Sequence, residues 1–189
     1  MKAKRFFKIV NTDGHRGMSY KNGVNEDIVP FNEAPTCGSG GLYFTDLHNI
    51  LNFVDYGTQL YEVVPLGKVV KVNDKYKAHA LNMTFICEGH LEIVKYLVDN
   101  GADVHANDDE ALRWAASNGY LEVVEYLVDN GADIHANNDG ALMWATLNGR
   151  LEVVKYLVEN GADIHADDDW TLRAATGNVK EYFHNLTNK

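Results

Sequence analysis

The chain has 189 residues, 46% of them apolar and 23% charged, with a formal net charge of −10. Such proportions belong to a folded chain of one ordinary domain or two small ones, and they exclude wholesale disorder and fibrous structure. Residues 1–78 carry ten Lys and Arg against eight Asp and Glu, whereas residues 79–189 carry seven against nineteen, net −12. That half is a poor surface for nucleic acid, because phosphate affinity comes largely from Lys and Arg displacing counterions.

No apolar run approaches the roughly 18 to 20 residues that span a bilayer, and the opening MKAKRFFKIVNTDG holds only the short apolar patch FFKIV. Neither a signal peptide nor a membrane anchor is expected. The two cysteines, Cys37 and Cys87, lack CxxC spacing and have no histidines at zinc-finger distances. A reducing, intracellular location is the expectation.

Residues 1–78 show alternation and β-branched residues. Strands are expected at Arg5 to Val10, Met18 to Lys21, Val24 to Ile28, Leu60 to Val64 and Val69 to Val72. Asn22-Gly23 is a hairpin turn signal. Thr45 or Asp46 is placed to cap a helix through Leu47, Ile50, Leu51 and Val54 that Gly57 ends. The expectation is a small α+β module, with Asn73 to Ala80 leading out of it. Its second role would be to cover the apolar flank of the C-terminal segment.

Within this module Thr36-Cys37-Gly38-Ser39-Gly40-Gly41 admits two readings. One is a catalytic head with Cys37 as nucleophile, His15 or His48 as base and Asp13, Asp46 or Asp55 as the orienting group. The other is a tight corner in which Cys37 is a small packed side chain. The stretch matches neither GxxxxGK[ST] nor GxGxxG and has no adjacent basic residue, so no nucleotide cofactor is implied.

From about residue 79 the chain repeats. ANDDEALRWAASNGYLEVVEYLVDNGADIH (106–135) and ANNDGALMWATLNGRLEVVKYLVENGADIH (136–165) agree at 22 of 30 positions without a gap. An earlier copy, near 76–105, is regular only in its second half, and a later one, 166–189, loses residues after Thr176. That makes about three and a half units. Each unit specifies two short antiparallel helices. In the second, Leu121, Val124, Leu127 and Val128 recur at helical spacing, with Glu122, Glu125 and Asp129 opposite. Asn130-Gly131 signals a left-handed helix end, and Asn118-Gly119 the turn between helices. Asp108 or Asp109 is placed to cap the first helix, whose inward positions are Leu112, Ala115 and Ala116. One hairpin has too little core of its own, so copies must stack.

The stretch NGxLEVVxYLVxNGADIHA resembles the ankyrin family, and the likeness covers about residues 79–189. That resemblance implies an α-helical solenoid after the α+β module, and a protein-binding role. The familiar Thr-Pro-Leu-His is replaced by Glu110-Ala111-Leu112-Arg113 and its counterparts, and the period is 30 rather than the family's 33. The shortfall lies where ankyrin proteins extend their fingers, so short fingers are expected and the binding surface moves to the exposed side of the first helices. The module before it resembles the segment preceding ankyrin repeats in proteins of Mimivirus-type giant DNA viruses. The carrying residues are His15-Arg16-Gly17, Tyr20, Gly23-Val24-Asn25, Pro30-Phe31-Asn32 and Cys37 with Gly40-Gly41-Leu42-Tyr43-Phe44.

Differences between the two full copies locate candidate partner-binding residues. Asp108/Asn138, Glu110/Gly140, Arg113/Met143, Ser117/Leu147 and Tyr120/Arg150 all lie in the turn or around the first helix, and Trp114 and Trp144 add an aromatic column. Trp is enriched where interfaces are tightest. Glu125/Lys155 and Asp129/Glu159 read as ordinary solvated charge. His105, His135 and His165 recur once per repeat, but helices stacked about 8 to 10 Å apart do not bring imidazoles to a shared zinc, which needs nitrogens about 2 Å away. A turn-bonding role is expected for them, with no metal. Tyr96, Tyr126 and Tyr156 read as packing residues with a wet hydroxyl. The expectation is therefore a non-catalytic adaptor or scaffold that binds a host or viral protein, located in the host cytoplasm or the virion. The alternative is an enzymatic head that the solenoid delivers.

Overall fold

The computed structural model describes residues 5–10, 20–26, 42–51, 53, 57–73 and 75–188. The chain forms two units, Met1–Asp103 and Val104–Lys189. Among the described residues antiparallel strands make up most of the first unit and stacked helix pairs the second, as the α+β expectation required.

Among its described residues the first unit contains β1 (Phe6–Val10), β2 (Gly23–Glu26), β3 (Leu42–Asp46), β4 (Gln59–Val72), β5 (Lys75–Glu88) and the α-helix α1 (His90–Asp99). Every pairing is antiparallel. β4 pairs with β1, β1 with β3, β3 with β5, and β5 back with β4, so four strands close a circuit and β2 adds to β5 beyond β3. The second edge of β4 is covered by β1 only from Gln59 to Val63, and beyond that Val64, Leu66 and Val69 are exposed. Val10, Phe44, Tyr61, Val63, Ala78, Leu81 and Met83 fill the interior. Phe6 meets Phe44 and Tyr76 edge-on, with ring centroids 5.2 and 5.3 Å apart.

Several expectations change here. The segments at Leu60 and Val69 are one 14-residue strand, with register shifts at Leu60/Tyr61 and Leu66/Val69 absorbing the break that Pro65 and Gly67 signal. The boundary expected at 78/79 falls inside β5. The first half of the unit near 76–105 is strand, not helix, because Leu81 and Met83 alternate with Asn82 and Thr84, a period of two. The described partner of β2 is β5, and Asn22-Gly23 is a bend stapled by Asn25, whose Nδ2 donates to Lys21 O and Gly23 O. The helix expected from Leu47 is a turn leading into 3-10 helix at Ile50, Leu51 and Phe53, capped by Asp46 as expected, whose Oδ1 accepts from Asn49 N and Nδ2 at 3.3 and 3.0 Å. Met18, Ile28, Val54 and Asp55 lie outside the described residues.

Arg5 ties α1 to the strands. Its Nε donates to Glu62 Oε1 at 2.7 Å, and its other nitrogens to the Tyr96 hydroxyl at 2.8 Å and Asn100 Oδ1 at 3.0 Å. The hydrogen bonds to Glu62 and Tyr96 raise the pKa of the guanidinium further above its already high ordinary value.

The second unit pairs α2 (Ala106–Asn118) with α3 (Leu121–Asp129), α4 (Ala136–Leu147) with α5 (Leu151–Glu159), and α6 (Ala166–Ala174) with α7 (Gly177–Thr187). Ala111, Leu112, Ala115 and Ala116 of α2 and their counterparts Ala141, Leu142 and Ala145 of α4 are buried, as are Val123, Val124, Leu127 and Val153, Val154, Leu157 of the second helices. Asn130-Gly131 ends α3 as expected: Gly131 has φ 96°, Gly131 N donates to Val128 O, and Ala132 N to Leu127 O. Burial raises the pKa of the Tyr156 hydroxyl above its ordinary value, with Asp129 and Glu125 adding to the shift.

The finger between repeats is replaced by a left-handed turn three residues long. Asn107, Asp108 and Asp109 have φ of 53°, 55° and 58°, and Asn137 to Asp139 and Asp167 to Asp169 do likewise. Each of these nine residues is Asn or Asp, the non-glycine types that tolerate this region best. Asp109 closes the turn as a buried carboxylate: its Oδ1 accepts from Asp133 N of the next turn at 2.9 Å and lies 3.2 Å from His105 Nδ1. Asp139 does the same for Asp163 N, at 2.9 Å, and His135 Nδ1, at 3.0 Å. The histidine column therefore bonds to carboxylate side chains, where backbone partners were expected. Asp169, with no turn beyond it among the described residues, has a side chain 55% exposed.

Substitutions along this ladder should differ sharply in cost. Asp139→Ala should lower unfolding free energy in urea by about 2 kcal/mol, the cost of an orphaned buried N–H and a lost charge-assisted bond, whereas Asp169→Ala should cost less than about 0.5 kcal/mol. Asn138→Val should cost about 1 to 2 kcal/mol by forcing a β-branched residue to positive φ, while Asn138→Gly should be neutral or stabilising.

Candidate partner-binding groove

Leu112, Ala115 and Ala116 face inward on α2, which leaves Glu110, Arg113, Trp114 and Ser117, spaced i, i+3, i+4, i+7, on the opposite stripe. On α4 the corresponding stripe is Gly140, Met143, Trp144 and Leu147. Side by side, the two stripes form an open groove of about 440 Å³ lined by Glu110, Arg113, Trp114, Ser117, Asn137 and Trp144. Trp144 is 40% exposed and Leu147 49% exposed. The Trp114 ring packs at 5.3 Å against Tyr120, which leaves Trp114 half-buried.

Several of the inter-repeat differences serve the packing of one repeat on the next. Arg113 donates to Asp108 O and, at 3.1 Å, to Asn107 O, folding back over its own turn. A Cβ at Gly140 would fall 2.8 Å from Arg113 Cδ, so Gly140 is the vacancy into which Arg113 fits. Arg150 Nε donates to Ser117 O at 3.0 Å, and its Cδ would meet a Cβ on Gly119 at 2.9 Å. Asn148 Nδ2 donates to Ser117 Oγ at 3.2 Å. Glu110 Oε2 accepts from Asn107 Nδ2 at 3.0 Å.

Of the residues expected at the surface, the fold brings Glu110, Arg113, Trp114, Ser117 and Trp144 to one groove. Asp108 and Asn138 are exposed at the centre of their left-handed turns, Met143 and Leu147 stand on the α4 stripe, and Tyr120 and Arg150 flank it at the starts of α3 and α5. Asn137 lines the groove and was missed, because its counterpart Asn107 is identical and variation between copies cannot single it out. The Ala116/Thr146 difference is buried: the Thr146 hydroxyl is fully enclosed without a hydrogen-bond partner. Thr146→Val should accordingly raise the unfolding free energy by about 1 kcal/mol, read by thermal unfolding.

Cys37, its glycine-rich stretch, His15 and Asp13 lie outside the described residues. His48 is exposed, with Nδ1 3.5 Å from Asp103 Oδ2, and Asp46 caps its own turn while accepting from the Tyr76 hydroxyl at 3.3 Å. Among the described residues no helix is long and apolar enough to cross a membrane.

The family description of ankyrin repeats, in three copies, matches residues 54–138 and 83–168. A protein of Acanthamoeba polyphaga mimivirus described only as uncharacterised is 36% identical over 128 residues, 62% of this chain and 93% of that relative. Two putative ankyrin repeat proteins of the same virus are 39% identical over 139 residues and 32% identical over 127 residues. These alignments cover 60% and 61% of this chain, and only 44% and 62% of the relatives' own lengths. Ankyrin repeats are protein-interaction modules and are generally non-catalytic. With stacked helix pairs, left-handed helix ends and this match over more than half its length, the chain belongs to the ankyrin-repeat family.

Proposed function

We propose that the protein is a non-catalytic adaptor or scaffold that binds a host or viral protein across the groove between α2 and α4. The observation that carries this reading is the exposed Trp144 and Leu147 beside the half-buried Trp114, on a stripe whose neighbours are otherwise committed to intramolecular bonds. Indole and leucine side chains cost hydrophobic free energy in water and regain it when covered, which is the chemistry of an interface centre. The net charge of −12 over residues 79–189 favours a basic protein surface and disfavours nucleic acid. A host-cytoplasmic or virion location belongs to this reading as part of the proposal.

The double variant Trp144→Glu/Leu147→Glu tests this directly. Affinity capture from infected amoebal lysate, followed by mass spectrometry, should lose the specific partner by more than about tenfold, because truncation at an interface centre costs about 2 kcal/mol or more. Thermal unfolding should barely move, since both side chains are exposed. Retention of the same partner at the same yield would place the interface elsewhere.

A further inference from the structure

The left-handed turns carry a site that two repeats fill for themselves and one does not. In the turn at the start of α2, Arg113 donates to the carbonyls of Asn107 and Asp108, and in the turn at the start of α6, Arg173 donates to the carbonyl of Asp168. In these two turns of positive φ a guanidinium thus meets two carbonyls of the triplet in one and one carbonyl in the other. The equivalent position on α4 is Met143, which has no donor, and Asn137 and Asn138 are both exposed. Asn137 also lines the groove with Trp144.

We infer that the middle turn receives an arginine from the partner protein, its guanidinium donating to the carbonyls of Asn137 and Asn138 as Arg113 does to those of Asn107 and Asp108. Two features support that occupant. Asp108 and Asp168 stand at the equivalent position in the neighbouring turns, so a cation at Asn138 sits between two carboxylate-bearing turns. Trp144 offers an exposed ring on the same stripe, and a guanidinium gains from an aromatic face. Trp170 takes the place of Gly140 one repeat on, so an arginine at residue 143 would lack the vacancy that Gly140 gives Arg113. Arg113 lines the same groove as a like charge, but the turn carbonyls hold its guanidinium and Glu110 stands one helical turn before it on the same stripe. Lysine fits less well, since its single ammonium cannot span two carbonyls in the forked geometry of a guanidinium.

This proposal rests on the groove reading above, and its test does not require the natural partner. The probes are methylguanidinium and the peptide acetyl-Gly-Arg-Gly-amide, titrated into the full-length protein and monitored by amide and indole N–H chemical shifts. Saturable shifts should centre on Asn137 to Gly140 and the Trp144 indole, with methylammonium and the Gly-Lys-Gly peptide binding about tenfold more weakly, as loss of a charge-assisted bond implies. Met143→Arg, and Met143→Arg/Trp170→Gly, which rebuilds the Arg113 and Gly140 pair, should fill the site from within and abolish those shifts. Whichever of the two retains the wild-type spectrum elsewhere provides the readout. Equal responses to guanidinium and ammonium, shifts spread over all acidic turns, or shifts that persist in the folded variant would overturn the proposal. A groove that still captures its partner in the Met143→Arg background would refute the arginine while leaving the groove intact, whereas loss of capture only in Trp144→Glu/Leu147→Glu would do the same.

Discussion

A carboxylate buried in each of the two full repeats holds the solenoid in register. Asp109 and Asp139 each accept the backbone N–H of the next turn, 24 residues ahead, and each is met by the histidine four residues behind. A buried carboxylate survives only where its lone pairs are used, and here they are used by the one backbone donor that fixes the spacing between turns. The left-handed triplet is what places the carboxylate there. With three residues of positive φ the chain reverses within a single turn, and a full finger becomes unnecessary. The 30-residue period is thus a local backbone solution written in Asn and Asp.

That economy shapes the binding surface. Fingers that project from a solenoid add contact area away from the helices, and without them the accessible stripe is the outer side of α2 and α4. Much of that stripe is spoken for: Arg113 folds over Gly140, and Arg150 over Gly119 with its Nε on Ser117 O. What stays uncommitted is apolar, chiefly Trp144 and Leu147. In the reading proposed above, arginines knit one repeat to the next and the exposed Trp144 is the residue offered to a partner.

The helical half was legible because its signals are periodic and local. Leu121, Val124, Leu127 and the Asn-Gly ends recur at fixed spacing; Val124 and Leu127 are buried as expected, while Val123 takes the buried place expected of Leu121 and Val128, which are half-buried. Variation between copies pointed to the α2 and α4 stripe, but it could not separate residues tuned for a partner from residues tuned to each other. Arg113 and Gly140 differ between repeats because they fit together, and Thr146 differs inside the core. The strand-rich half was less legible. The 3.6-residue pattern of Leu91 to Val98 extended the repeat backward by analogy, hiding the alternation of Leu81 and Met83 that makes β5 a strand. Long-range pairing also decided what local signals could not: Leu42 to Asp46 became a strand by lying between β1 and β5.

In the first unit the same physical logic appears in another form. α1 lacks a first helix of its own, and Arg5 binds it to the strands through Glu62, Tyr96 and Asn100. A bidentate guanidinium with a second and third acceptor is worth more than an isolated surface pair, because one ordered side chain serves several bonds.

Native-state hydrogen exchange at the backbone amides of Asp133 and Asp163 tests the ladder most directly. The account predicts that these two turn amides exchange as slowly as those of Leu127 and Leu157, through global opening of the helical unit. Exchange at the rate of the exposed turn residues Asn137 and Asn138 would contradict it, showing that the buried carboxylates do not hold the repeats together.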